Sequence, residues 1–522
     1  MPGIREGEVV QLGPWKGGVR YDKPTENILE DELGRSVNCR VGVAGQVEKR
    51  LGSASYKSQA AMVSGSDEYL KTVTGCGQFV NTTSVTITFM MVGNKYFEYD
   101  SGWQDRTNSV TISQPTSSVD SVFEWVNANG TLYAVNGTDV GIKTRGGAIT
   151  DDAPTHLSVF TMPSTIVKAK HIAFWDNRLW IGNVATSGGT LVDRVYRSEA
   201  GVYETWEASY NVGGPVTALV AQENGLTIHT EDGIWVLTPT GTANTPYSIQ
   251  PKTQQGGLGG RSTIMLPNGT QMMVRKDGIY SWDGGEALEK KSQALDSGYW
   301  SKTRTDRLGS SFAVYHPIEN EVWFFLCDNS EDADNVKMNS VIIYNIIDDF
   351  WFGPYTGWSL DSGALIDNKP HGGDFAAKTL DLATGGTDEG SAIPAFFQTS
   401  GHTDDDPTRK RWIYARLYFD VEGDHSVLVR QWSSGLVGNE ESVEMGTGAG
   451  SLGTDVLGAF TLGAGFPDKP VVVYGDVRLH GYDNHTSLGI ENTGSNEAFT
   501  FRNIQLAYKP LGLKRKRRIG VE

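Results

Sequence analysis

The stretch EDGIWVLTPTG at 231–241 returns in outline as KDGIYSWDGG at 276–285. Each sets Asp-Gly between two runs of alternating hydrophobicity, the pattern of a tight β-hairpin whose type I′ turn needs positive φ at both central residues. Relaxed versions of the phrase turn at Gly93-Asn94, Asn129-Gly130, Asp176-Asn177 and Glu319-Asn320. An aromatic follows each of the six: Tyr96, Tyr133, Trp180, Trp235, Tyr280 and Trp323, with a mean spacing near 45 residues. Degenerate repeats of that length, each a hairpin or more of strand, are the sequence signature of β-propeller blades. One four-stranded blade cannot bury both its faces, whereas a ring of blades buries them against one another and leaves few free edges.

This spacing predicts an all-β chain with a six- or seven-bladed β-propeller over 61–390. The aromatics are expected to pack between blades on equivalent strands, and a strand from the first thirty residues is a candidate for closing the ring. A row of β-sandwiches is the rival architecture. Helix is scarce; GGEALEKKSQALDSGYW (284–300) has room for a short one.

Beyond about residue 384 the blade spacing stops. RWIYARLYFDVEG, HSVLVRQWS, KPVVVYGDVRLHGY and AFTFRNIQLAYKPLG read as strands of a separate antiparallel β domain over 391–510, with a Gly-rich arm or loop at 438–468. Residues 1–60 read as an N-terminal arm and propeller-closing segment, and 511–522 as a basic tail. The 63 glycines of the 522-residue chain sit singly between apolar runs, as turn residues do.

Charge narrows the function classes. Lys and Arg total 45 against 62 Asp and Glu, a net −17, so the surface as a whole repels nucleic acid and anionic membranes. The tail carries Lys514, Arg515, Lys516, Arg517 and Arg518 in a row on a chain that is otherwise about −22. Three dispersed cysteines form no zinc or disulfide pattern, and the first residues lack a signal-peptide core, so synthesis in a cytoplasm is expected. No apolar run approaches the roughly 20 residues of a spanning helix.

Catalytic motifs are missing: no GxSxG, HExxH or P-loop occurs. Gly448, Gly450 and Gly453 spell GxGxxG without a strand before or a helix after, which reads as a loop. The acidic clusters at 328–335 and 402–407 read as solvated turns rather than calcium loops. No catalytic, metal-binding or cofactor-binding residue is nominated, no cofactor is expected, and the chain is not expected to be an enzyme.

The run PWKGGVRYDKPTENILEDELGRSVNCRVGVAGQVEKRLGS (14–53) resembles the opening of tail hub and nozzle proteins of short-tailed bacteriophages. The counterparts are Gly17-Gly18, Pro24, Glu32 and Asn38, then Gly45, Arg50 and Gly52. VYRSEAGVYETWEA (195–208), IIYNIIDDFWFGPY (342–355) and RNIQLAYKPLGLKRKRR (502–518) resemble a blade segment, a strand before a turn and the final strand with its basic end in that family. The resemblance implies a virion tail component, usually a homohexameric ring below the portal and adaptor. Such a ring continues the DNA channel, contacts adaptor and tail fibre or tip proteins, and lets DNA pass without sequence-specific binding. An acidic lumen suits that task, because each phosphate neutralised by Lys or Arg adds affinity and drag. Closed rings need arms beyond a compact core. Lys514 to Arg518 are the candidate contact with a neighbouring subunit or the adaptor. The competing class is a carbohydrate-binding or glycan-cleaving propeller, with carboxylates and aromatics in an axial funnel; a third is a scaffold for protein partners.

Overall fold

In the computed structural model the described residues are 8–57, 69–115, 122–146, 157–242, 246–329, 337–402, 409–445 (save 421, 424, 434 and 435) and 472–511. The chain divides into two compact units: 53–345 with 357–384, and 1–52 with 346–356 and 385–522.

The first unit is a seven-bladed β-propeller. Its innermost strands are Val73–Val80, Glu124–Ala128, Ile166–Trp175, Val216–Gln222, Thr263–Met265 and Phe312–His316, with the seventh at 360–366. Successive strands then step outward in antiparallel pairs, as in Val216–Gln222, Gly225–Thr230, Gly233–Pro239 and Tyr247–Thr253 of blade 4. The innermost strands of blades 1 to 6 each pack beside the next, and Lys369–Asp374 of blade 7 packs beside Phe312–His316 of blade 6 and Val73–Val80 of blade 1. There Ser362 donates to the Val73 carbonyl at 2.6 Å. The ring is fastened by Ala54–Ser55, which pairs with Thr379–Asp381 as the outer strand of blade 7. The first thirty residues do not supply that strand; theirs lie in the second unit.

The two phrases at 231–241 and 276–285 are structurally equivalent, each turning between the second and third strands of neighbouring blades 4 and 5. The six-membered alignment around them is out of phase. Asn129-Gly130, Asp176-Asn177 and Glu319-Asn320 turn between the first and second strands of their blades. Gly93-Asn94, Asp232-Gly233 and Asp277-Gly278 turn between the second and third. Tyr133, Trp180 and Trp323 therefore lie on second strands and Tyr96, Trp235 and Tyr280 on third strands, which corrects the expectation of equivalent positions. Trp235 and Tyr280 are also only half-buried. Of the six turns, only Asn129-Gly130 (φ 47° and 79°) and Asp176-Asn177 (52° and 54°) hold positive φ at both centres. Asp367-Asn368 (50° and 61°) makes the same first-to-second turn in blade 7 without an aromatic phrase to mark it.

Aromatic packing between blades is what the burial rewards. Trp180 is fully buried, with Trp175 and Tyr247 at 5.8 and 5.3 Å, in the cluster joining blades 3 and 4. Phe89 meets Trp125 edge-on at 5.1 Å between blades 1 and 2. The expected short helix at 284–300 is instead a set of 3-10 turns, Ser292–Leu295, Trp300–Lys302 and Thr305–Ser310.

The second unit is a β-sandwich built from both parts of the chain. One sheet runs Val472–Arg478, Lys410–Asp420, Thr500–Pro510, then Val47–Lys49 and Cys39–Val41, with Glu8–Leu12 also on Thr500–Pro510. The other runs Gly18–Val19, Glu32–Val37, Ala395–Thr399, Ser487–Asn492, Ser426–Ser433 and Leu436–Glu444. Phe397 of the second sheet packs on Phe501 of the first at 5.6 Å and on Trp15 at 5.7 Å. Residues 8–49 are thus strands of this domain rather than an arm, and the domain is antiparallel except where Gly18–Val19 runs parallel to Glu32–Leu33. Its C-terminal portion resumes at Gly385. Most of the Gly-rich 438–468 segment lies outside the described residues, its start at Leu436–Glu444 being strand.

Candidate functional site

Innermost propeller strands have one edge with no strand beyond it, so backbone N–H and C=O groups face the axis. In this protein the axis holds a cavity of about 490 Å3 lined from blades 2 to 7. Four innermost strands begin with a bulge, at Thr74, Val167, Thr217 and Asp361, where the register skips one residue. A bulge re-aims the side chain it carries.

One end of the cavity is built by the sequence GGLGGR at 256–261. Glu124 of blade 2 accepts a hydrogen bond from His171 Nδ1 of blade 3 at 2.9 Å. The backbone of Gly260 presses against both; a Cβ there would stand 2.2 Å from Glu124 Oε1 and 3.0 Å from His171 Nδ1. The next residue, Arg261, donates to the carbonyls of Asp361 and Ser310 at 2.7 Å each, and its own carbonyl accepts from Ala313 N at 2.9 Å. Its guanidinium sits 5.6 Å from the centre of the Phe312 ring. Burial pushes the Asp361 carboxyl up to about 7, with Arg261 opposing the shift, and its Oδ2 has no hydrogen-bond partner among the described residues.

The chemistry on offer is an arginine between two carboxyls, one of them raised by burial to about 7. Glycan cleavage needs a raised acid and a second carboxylate on opposite sides of a sugar. Here Glu124 is held by His171, and blade 7 lines the cavity through Gly363, two residues beyond Asp361. The wall aromatics are spent on packing: Phe312 stacks on Phe325 at 4.3 Å and Phe174 meets Tyr203 edge-on at 5.6 Å. The cluster acts as a tie across the axis among blades 2, 3, 5, 6 and 7.

In the sandwich unit, two of the residues that carry the phage-tail resemblance, Asn38 and Arg50, meet. Asn38, at φ 54°, donates to Thr356 Oγ1 at 3.1 Å and the Pro394 carbonyl at 2.8 Å. Arg50 donates through Nε to Asn38 Oδ1, through both terminal nitrogens to Asp388, and to the carbonyls of Leu51 and Thr356. Gly52 is required because a Cβ would lie 2.0 Å from the Thr387 carbonyl oxygen. Gly18, at φ 70°, would collide with Trp351 O at 2.5 Å, and Gly17 with Glu32 Cγ at 2.5 Å. Buried Glu32 accepts from Leu29 N and pairs with Arg20. Pro24 caps the 3-10 turn Thr25–Asn27.

Lys514, Arg515, Lys516, Arg517 and Arg518 lie outside the described residues, as do Gly448, Gly450, Gly453 and most of both acidic clusters. The sequence reading passed over Glu124, His171, Arg261 and Asp361. Its available signal was the glycine run before Arg261, since glycine in such a place marks close backbone approach. Among the described residues no cluster of His, Cys, Asp or Glu is arranged to hold a metal, and no helix is long and apolar enough to cross a membrane.

No protein-family model matches the chain, and no curated protein matches it. Solved structures give distant likenesses. The N-terminal domain of Nup159 is 11% identical, covering 64% of this chain and 95% of its own at a TM-score of 0.37. Virginiamycin B lyase from Staphylococcus aureus is 10% identical, covering 64% and 99% at 0.38. An exo-beta-1,3-galactanase from Phanerochaete chrysosporium is 11% identical, covering 88% and 100% at 0.26. At these scores none bears on function.

Proposed function

We propose that this protein is a structural subunit of a bacteriophage tail, a hub or nozzle that forms a homohexameric ring below the portal and adaptor. In this reading it extends the DNA channel, helps retain and then release the genome, and resides in the virion tail without catalytic activity. The observation that carries the proposal is the Asn38–Arg50–Asp388 cluster. Two of the residues by which the N-terminal run resembles tail hub proteins, Asn38 and Arg50, meet in this buried hydrogen-bonded junction, next to Gly52, which has no room for a side chain. The net charge of −17 agrees with a lumen that lets DNA slide. The adaptor and tail fibre or tip proteins are the further partners in this reading. Electron microscopy of the purified protein tests this: sixfold rings are expected, and single particles throughout would contradict it.

A glycan-directed reading draws on one observation, the axial cavity with Glu124 and an Asp361 whose carboxyl burial raises to about 7. It requires turnover on capsule or lipopolysaccharide that Asp361→Asn abolishes. The structural reading expects no hydrolysis by either form.

A further inference from the structure

We propose that the basic end of the chain, Lys514 to Arg518, docks in a groove of its own sandwich unit whose mouth carries Glu26, Glu30 and Asp31. The inference stands on this groove and this tail, and holds whether or not the chain forms a ring.

The groove has a volume of about 810 Å3 and lies among residues 11–16, 26–31 and 400–402. Its acidic side is the 3-10 turn Thr25–Asn27 and the loop after it. Glu30 is paired with the buried His402 at 2.8 Å, which fixes that loop against the sheet. Glu26 and Asp31 are exposed, and among the described residues no cation pairs with either. Lys16 also lines the groove, leaving the balance negative, while Ile28 gives it a buried apolar base.

The geometry brings the tail to this place. The His402 ring lies 6.3 Å from the ring of Tyr508, near the end of the strand Thr500–Pro510. Leu511 N then donates to the Arg409 carbonyl at 2.9 Å, the last described bond of the chain. Lys514 lies six positions beyond Tyr508, a reach of at most about 22 Å when extended. A +5 segment anchored so close has a high effective concentration at the groove. Single exposed ion pairs contribute little, so the docking is a sum of several and is sensitive to salt.

The test uses a fluorescent peptide of residues 509–522 and full-length chains. In one form Lys514, Arg515, Lys516, Arg517 and Arg518 are all changed to Ser, which vacates the groove. At low salt this form is expected to bind the peptide about tenfold more tightly than the wild-type chain, whose own tail competes. Adding Glu26→Gln and Asp31→Asn to it should weaken binding about threefold or more. At 1 M salt, where screening acts within about 3 Å, binding should vanish. Equal binding by wild type and the five-Ser form would overturn own-chain docking. Unchanged affinity after the groove substitutions would overturn the groove, as would a loss seen only with Asp404→Asn, Asp405→Asn and Asp406→Asn. Thermal melts of each form confirm that the compared chains are folded.

Discussion

Arg261 donates to the backbone carbonyl of Asp361 at 2.7 Å, so blade 5 holds blade 7 across the propeller axis through main chain rather than through the carboxylate. Asp361 is left as a bulged, buried acid whose side chain is not neutralised by a direct ion pair.

That arrangement gives a pH signature. The Asp361 carboxyl is raised to about 7, chiefly by burial, so the folded state keeps its proton where the unfolded chain has lost it. Its contribution is full below the unfolded value near 3.8 and is lost as pH rises through about 7. Asp361→Asn removes this dependence. Melting curves from pH 4 to 8 should show the variant gaining on wild type as pH rises; a constant gap would contradict the assignment.

His229 works in the opposite direction. Its Nδ1 accepts from Gly257 N at 3.2 Å and its Nε2 donates to Gln271 Oε1 at 2.7 Å, tying blade 4 to blade 5. Burial lowers it to about 4, so it stays neutral while an unfolded histidine protonates below 6.5. Stability should be full above pH 6.5 and fall by roughly 3 kcal/mol as pH drops toward 4. His229→Asn should be weaker at pH 8 yet flatter between 6.5 and 4, read from the same melts.

Arg50 anchors the junction of the sandwich unit. Arg50→Met leaves Asp388 without its bidentate partner and Asn38 Oδ1 without the Nε donor. A broken buried pair costs about 3–5 kcal/mol. Urea denaturation should show that loss; a change below about 1 kcal/mol would mean the network is not what holds the N-terminal strands.

Trp180→Ala should cost about 3–5 kcal/mol, because the ring is fully buried between blades. Trp235→Ala should cost less, since Trp235 is half-buried on a third strand. Equal losses in urea would restore the equivalence that the strand positions deny.

These two tryptophans also mark how far the sequence could be read. Period-2 hydrophobicity and turn residues made the hairpins visible, and their spacing made a ring of blades the economical fold. Both hairpins of a blade carry the same chemistry, an Asx or Gly turn followed by an aromatic, so the alignment slipped by one strand without any local signal. The closing strand Ala54–Ser55 is two residues long and carries no pattern. The sandwich was half legible: strands such as Lys410–Asp420 alternate plainly, but the pairing of Glu8–Leu12 with Thr500–Pro510 joins the chain's two ends, which no local pattern specifies. The axial tie was hidden for a similar reason. Glu124, His171, Arg261 and Asp361 meet only when four blades close around one axis, and the glycines at 256–260 were its sole local trace.

The proposed tail role requires copies of this chain to close into a ring. Native mass spectrometry of the purified protein over a range of concentrations and salt tests it most directly. A species of six 56.8-kDa chains, about 340 kDa, is expected. A single chain of 56.8 kDa under every condition would contradict it.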